Sequence, residues 1–176
     1  MPVRPAEFRE AMSGFPNGVT IVTSVDSAGR PVGMTVSAFA ALSLDPPLVL
    51  VNLQVNSRTL AAIRHHRSFT VHLLDSRHVE LARRFAENSE SKFQGTNYAV
   101  DHSGLPYLTD CPARLQCTIE AEYPGGDHFI LVGRVMQSHS PEERADLEPL
   151  VYFRRAFIAV GKQHSSGTPP ALPPLK

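Results

Sequence analysis

The sequence has no tryptophan, only two cysteines and no net charge: 17 Lys and Arg face 17 Asp and Glu in a chain of 176 residues. The cysteines, Cys111 and Cys117, form neither a C-x-x-C pair nor a disulfide framework, and no metal-spaced Cys and His set surrounds them. That excludes a disulfide scaffold and a thiolate metal site, and makes a reducing cytoplasm the expected compartment. Zero net charge removes the long-range field that draws nucleic acid or anionic lipid without sequence preference. No nucleic-acid partner is expected, and any bound anion must be held by a local device. No apolar run approaches the roughly 18 residues of a membrane helix, and Met1 to Glu10 lacks an apolar signal core, so a soluble chain is expected.

Catalytic motifs are missing too. There is no G-x-S-x-G elbow, no H-E-x-x-H, no Walker loop and no G-x-G-x-x-G. The eight histidines are scattered. No acyl-transfer or metal-hydrolysis constellation can be assembled, and no metal is expected.

What is present describes a globular chain, with 42% hydrophobic and 19% charged residues. A chain of this length buries roughly 70% of its unfolded surface, enough for one core. One domain over residues 1–162 is expected, followed by a Pro-rich, poorly ordered tail over 163–176. Pro5 to Gly14 reads as a helix. Val19–Val25 and Val32–Phe39 alternate around the turn residues Asp26–Arg30, predicting a hairpin. Leu48–Leu53 is a continuous apolar run, the pattern of a strand covered on both faces.

Asn56 and Ser57 then cap a helix carrying Leu60, Ala61 and Ile63 and ending in the basic run Arg64–Arg67. Phe69–Leu74 returns to strand, and Ser76 is a candidate cap for a second helix with Val79, Ala82 and Phe85. Glu87 to Leu108 is aperiodic, and so long a segment inside a domain is often functional. Ala113–Tyr123 and His128–Ser138 predict a long hairpin around Pro124–Asp127. Two short strands, Leu150–Phe153 and Ala156–Val160, flank Arg154 and Arg155. Mostly strands, without regular strand–helix alternation, predict a mainly β fold: an antiparallel, Greek-key-like barrel with inserted helices.

Four local patterns could carry chemistry. Asn56-Ser57-Arg58-Thr59 opens a helix with two hydroxyls and a guanidinium where Asp or Glu is the usual complement to the dipole. Backbone amides are free there as well, which is the composition of a phosphate cradle. An ordinary Ser cap with an exposed Arg has the same composition. Small and hydroxylated residues crowd the stretch Gly33 to Pro47, as a flat ligand lying against backbone would need, or as a glycine-bearing edge strand would show. Gly126-Asp127-His128 puts a His at a strand start, facing a polar ligand or solvent. Lys92-Phe93-Gln94-Gly95 offers a cation and an aromatic face within the long loop.

In order, Phe15–Thr23, Gly33–Phe39, Leu42–Leu48, Asn56–Thr59, Gly126–Val135 and Pro149–Tyr152 resemble the short-chain flavin reductases, over nearly the whole stretch from Phe8 to Val160. That resemblance implies an FMN-binding split barrel, usually a homodimer, that passes hydride from NADH or NADPH to FMN or FAD and supplies reduced flavin to a partner monooxygenase. It implies that Thr35, Val36, Ser37 and Ala38 line the isoalloxazine and ribityl chain. Asn52 would lie near the ring, and Ser57, Arg58 and Thr59 would take phosphate. Lys92, Phe93 and Gly95 match the loop that closes over flavin, and His128, Tyr152 and Arg154 match positions near the nicotinamide. Such chains often have a basic residue followed by glycine where this one has Arg154-Arg155. A cofactor-borne reaction explains the missing catalytic side chains, because the protein need only stack, orient and tune. A flavin-binding electron carrier, or a flavin-dependent reductase of another acceptor such as ferric chelates, would use the same parts. A non-catalytic small-ligand barrel would have no use for the phosphate device.

Overall fold

The computed structural model describes residues 2–140 and 147–160. The Pro-rich tail expected over 163–176 lies outside them. In chain order the elements are α1 (Pro5–Ser13), β1 (Asn17–Gly18), β2 (Thr20–Val25), β3 (Pro31–Val36), β4 (Phe39–Leu44), β5 (Pro47–Gln54) and α2 (Arg58–His66). There follow β6 (Ser68–Leu73), a 3₁₀ turn (Ser76–His78), α3 (Val79–Ala86), β7 (Tyr98–Val100), β8 (Pro106–Leu108), β9 (Ala113–Gly125), β10 (His128–His139), β11 (Leu150–Phe153) and β12 (Ala156–Ala159).

Seven strands form one antiparallel sheet in the order β3-β2-β6-β9-β10-β5-β4. β3 and β4 are its two edges, yet only Ser37 and Ala38 separate them in the chain. Laid flat, six strand spacings of about 4.8 Å would put those edges roughly 29 Å apart, whereas so short a link reaches only about 10 Å. The sheet must therefore curl until its edges meet, and because β3 and β4 do not pair, the result is a split barrel. Its interior confirms the curl: Val36 of β3 shares one cluster with Val49, Val51 and Leu53 of β5, Phe69 and Val71 of β6, and Leu131 of β10. Leu60 and Ile63 of α2 close that cluster.

A second cluster lies on the other side of β2, where Ile21 meets Ala82 and Phe85 of α3, Leu108 and Leu150. β2 is thus the strand buried on both faces. The apolar run of β5 instead buries only alternate residues, Val49, Val51 and Leu53, while Leu48, Leu50 and Asn52 stay half-buried. The sequence pattern misassigned the doubly covered strand because coverage depends on where α3 and β8 dock.

Other local expectations are corrected similarly. Phe39 begins β4 rather than ending β3. Asp75, not Ser76, caps the turn before α3, its carboxylate accepting from the Arg77 amide. The aperiodic stretch contains the small hairpin of β7 and β8. On α2 the buried residues include Ala62 and Thr59, with Ala61 on the open side.

Two buried contacts fix the barrel. At Gly133 of β10 an added Cβ would lie 2.6 Å from the ring tip of Phe69 and 3.2 Å from Cys117, so only glycine admits that ring. His72 of β6 is fully buried; its Nδ1–H donates to the Ile21 carbonyl at 3.0 Å, and its Nε2 accepts the Leu108 amide at 3.0 Å. These partners require the neutral ring, and burial lowers its pKa from 6.5 to about 4. The histidine thereby ties β8, and the loop before it, to the barrel wall.

Gly133→Ala is expected to lower stability by about 1–3 kcal/mol through overpacking, read as a lower denaturant midpoint, with Phe69→Leu recovering part of the loss. An unchanged midpoint would refute the steric account. For His72 the sign is set by the depressed folded-state pKa: its stabilising contribution is complete above about 6.5 and is lost as pH falls through about 4. The total is on the order of 3 kcal/mol. Urea midpoints measured from pH 7 to 4 should fall less steeply in His72→Gln than in the native chain.

Candidate functional site

The barrel seam opens into a cleft of about 1550 Å³, walled by β3, the start of α2, the loop after α3, and β11 with β12. Small-ligand sites run to roughly 300–1,000 Å³, so this one has room for more than a single compact ligand. Five cations line it, Arg30, Arg58, Arg83, Lys92 and Arg155, against three carboxylates, Asp26, Glu87 and Glu90. In a chain without net charge, cations outnumber carboxylates at this lining.

At the start of α2 the Ser57 backbone is extended and its Oγ accepts the Leu60 amide at 2.9 Å. That lone pair is committed to the helix, which leaves the O–H to donate outward. The first turn has no acidic residue. Its unpaired amides, the Ser57 hydroxyl and Arg58 are all hydrogen-bond donors, a set whose chemistry suits an anion with several acceptor oxygens. Thr59 is buried but still lines the cleft. The Arg58 guanidinium donates to Glu90 Oε1 at 2.8 Å and to the Ser89 carbonyl at 2.7 Å.

On the opposite wall Lys92 is half-buried, its Nζ donating to the Gly33 carbonyl at 3.1 Å and the Phe85 carbonyl at 2.9 Å. Burial, and then the charge of Arg58, lower its pKa from the ordinary lysine value. Its ammonium therefore pins the loop to β3 and to the end of α3. Phe93 packs edge-on against Phe85 and Tyr98, each at 5.1 Å between centroids.

Among the residues marked out in the sequence, Thr35, Ser37, Ser57, Arg58, Thr59, Lys92, Phe93 and Tyr152 come together around this cleft. Thr35 has already committed its hydroxyl to the Ala82 carbonyl at 2.6 Å. Val36 points into the barrel core instead. Ala38 and Asn52 stand at the seam, joined by the Asn52 amide and Ala38 carbonyl at 3.0 Å, but do not line the cleft. Gly95 belongs to a smaller hollow beside Arg77 and Arg84.

His128 begins β10, directly across the ladder from Gln54, which lines the cleft, but His128 does not itself line it. Gly126 alone supplies the positive φ, +70°, that this tight turn needs. The Asp127 carboxylate accepts from His128 Nδ1 at 2.7 Å, which fixes the ring and leaves Nε2 as the outward atom. The same hydrogen bond holds the Asp127 carboxyl below its ordinary range.

Arg154 lies outside the cleft, and its neighbour Arg155 lines it. Arg155, Glu90, Gln54 and Phe157 were not marked out in the sequence. Their neighbours come from distant segments, and only the doubled arginine was a visible irregularity. Both cysteines are buried, and burial pushes each thiol up to about 12, which removes them as nucleophiles.

This split barrel, with an acid-free helix start facing a large seam cleft, is that of the flavin reductases. The family model described as the flavin reductase like domain matches residues 12–161, and the chain belongs to that family. It is 38% identical over 152 residues to the actinorhodin polyketide dimerase of Streptomyces coelicolor, covering 86% of this chain and 84% of that one. It is 37% identical over 159 residues to the reductase subunit HsaB of a flavin-dependent monooxygenase from Rhodococcus jostii, covering 90% and 79%. A solved structure, the NADH:FAD oxidoreductase SgcE6 of Streptomyces globisporus in complex with NAD and FAD fragments, matches with a TM-score of 0.83 at 29% identity, over 93% of this chain and 99% of that one.

Proposed function

We propose that this protein is an NAD(P)H:flavin oxidoreductase that reduces FMN or FAD with NADH or NADPH and supplies the reduced flavin to a partner monooxygenase. One observation carries the reading: an acid-free helix start with Ser57 and Arg58 opens into a cleft large enough for two stacked ligands. The relatives named as a monooxygenase reductase subunit and an NADH:FAD oxidoreductase support it.

The residues fit a flavin. Ser57, Arg58 and the first-turn amides of α2 would hold its phosphate by charge-assisted hydrogen bonds. Ser37 would meet its polar edge, with Ala38 and Asn52 behind it at the seam, and Phe93 with Tyr152 would supply apolar walls. Bound flavin supplies the redox chemistry, an isoalloxazine that accepts two electrons and a proton. The chain needs no nucleophile of its own, and its task is to hold two ring systems in contact and keep water from between them. His128 is the positioning group for the nicotinamide, its Nε2 outward because Asp127 holds Nδ1. Tyr152 borders the same space, and Arg155 takes the place that the sequence suggested for Arg154.

We also propose a homodimer in the cytoplasm. Edge strand β4 leaves Leu42 and Leu44 exposed, 48% and 96%, and α1 buries none of its residues within the chain. Among the described residues no helix is long and apolar enough to cross a membrane. Sedimentation should give twice the chain mass; a monomer at micromolar concentration would refute the dimer.

Anaerobic stopped-flow mixing with each flavin and nucleotide pair tests the activity. His128→Ala should slow flavin reduction by roughly 10- to 100-fold while leaving oxidised-flavin affinity within about twofold. Equal loss of both would remove His128 from the nicotinamide site. Flavin binding with no nucleotide oxidation would refute the reductase reading.

A further inference from the structure

Arg58, the guanidinium that would take flavin phosphate, already carries a carboxylate. Glu90 Oε1 accepts from its Nη1 at 2.8 Å, and the Ser89 carbonyl accepts from its Nη2 at 2.7 Å. A carboxylate and a backbone carbonyl together present oxygen acceptors much as a phosphate edge does. The Glu90 side chain is 82% exposed and Arg58 49% exposed, so the pair sits at the rim, where an incoming anion can reach it.

The loop that delivers Glu90 is anchored elsewhere. Two residues on, Lys92 is fastened to the Gly33 and Phe85 carbonyls, and beyond it Arg84 donates to the Gln94 carbonyl and Thr96 Oγ1. Ser89 and Ser91 share a hydroxyl hydrogen bond at 2.9 Å across the tip. The tip can therefore release Arg58 without freeing the loop. Nothing in the fold's core depends on the Arg58–Glu90 pair, and an exposed ion pair contributes little to stability. Its consequence is instead local: any phosphate entering this subsite must displace a carboxylate of like charge.

We propose that Glu90 is a specificity-determining residue, a built-in competitor for the phosphate subsite that weakens binding of phosphorylated flavins and leaves unphosphorylated flavin unaffected. The proposal rests on the assignment of Arg58 to flavin phosphate. It fits a protein that must let reduced flavin go, because a carboxylate waiting at the subsite replaces the departing phosphate and spares Arg58 an unpaired interval.

FMN and riboflavin differ by the phosphate alone, so their dissociation constants, read by flavin fluorescence, provide the test. Glu90→Gln should tighten FMN roughly two- to fivefold, the range for removing an exposed charge pair, and leave riboflavin unchanged. Arg58→Gln should weaken FMN relative to riboflavin, and in that background Glu90→Gln should have no further effect. If Arg58→Gln weakens FMN selectively but Glu90→Gln changes neither flavin, or both equally, the competitor role is overturned and the phosphate assignment stands. If Arg58→Gln leaves the FMN-to-riboflavin ratio untouched, the phosphate assignment fails and the role of Glu90 falls with it.

Discussion

The two-residue link between β3 and β4 is the constraint on which the remaining architecture depends. Ser37 and Ala38 force opposite edges of a seven-stranded sheet together. Closure buries the inward faces of β3, β5, β6 and β10 against α2, and it sets the start of α2 facing β3 across the seam. At the seam β3 and β4 do not pair with each other, and its carbonyls at Gly33, Val36 and Ala38 are taken up by Lys92, Thr20 and the Asn52 amide. A ligand that offers both a flat ring and a phosphate finds backbone and helix start on the same opening. Close packing at Gly133 serves the same closure, because the Phe69 ring crosses the space its side chain would fill.

The electrostatic design follows from neutrality. With 17 charges of each sign, the chain cannot attract an anionic cofactor from a distance, and recognition depends on what lines the cleft. There, cations outnumber carboxylates, but they are not interchangeable. Lys92 has lost much of its water and is held by two carbonyls, so it serves chiefly as a loop anchor. Arg58 stays at the rim in a reversible pair. The division suits the two groups: a guanidinium presents a planar fork to carboxylate or phosphate, whereas an ammonium satisfies carbonyls from any direction.

The fold was largely legible because its signals are local. The Ser57 cap, the Gly126 turn and the alternating strands each follow from residues within a few positions, and the structure bears them out. What escaped depends on long-range placement. Which apolar strand is covered twice could not be told from β5's composition, since α3 and β8 chose to cover β2. Val36 reads as a ligand-lining position until barrel closure turns it inward. Glu90 meets Arg58 from 32 positions away, and Arg155 meets Glu10 from 145. No period or motif announces such pairs.

The doubled arginine shows how a site wall can be maintained against local preference. Arg154 and Arg155 have φ of 47° and 62°, a left-handed pair that costs about 1–2 kcal/mol per residue for side chains with a Cβ. Some of this is offset by the Arg154 amide, which donates to the Ser13 carbonyl at 2.8 Å, and a little by the exposed Arg155–Glu10 pair. Those two contacts dock α1, which buries no side chain of its own within the chain. The turn also holds Tyr152 and Phe157 edge-on at 5.4 Å along the cleft. Glycine at 155 would relieve strain but remove both the cation on that wall and its tether to α1. Strain here therefore supports two things at once: a fixed aromatic wall along the cleft, and a positive charge on the same wall.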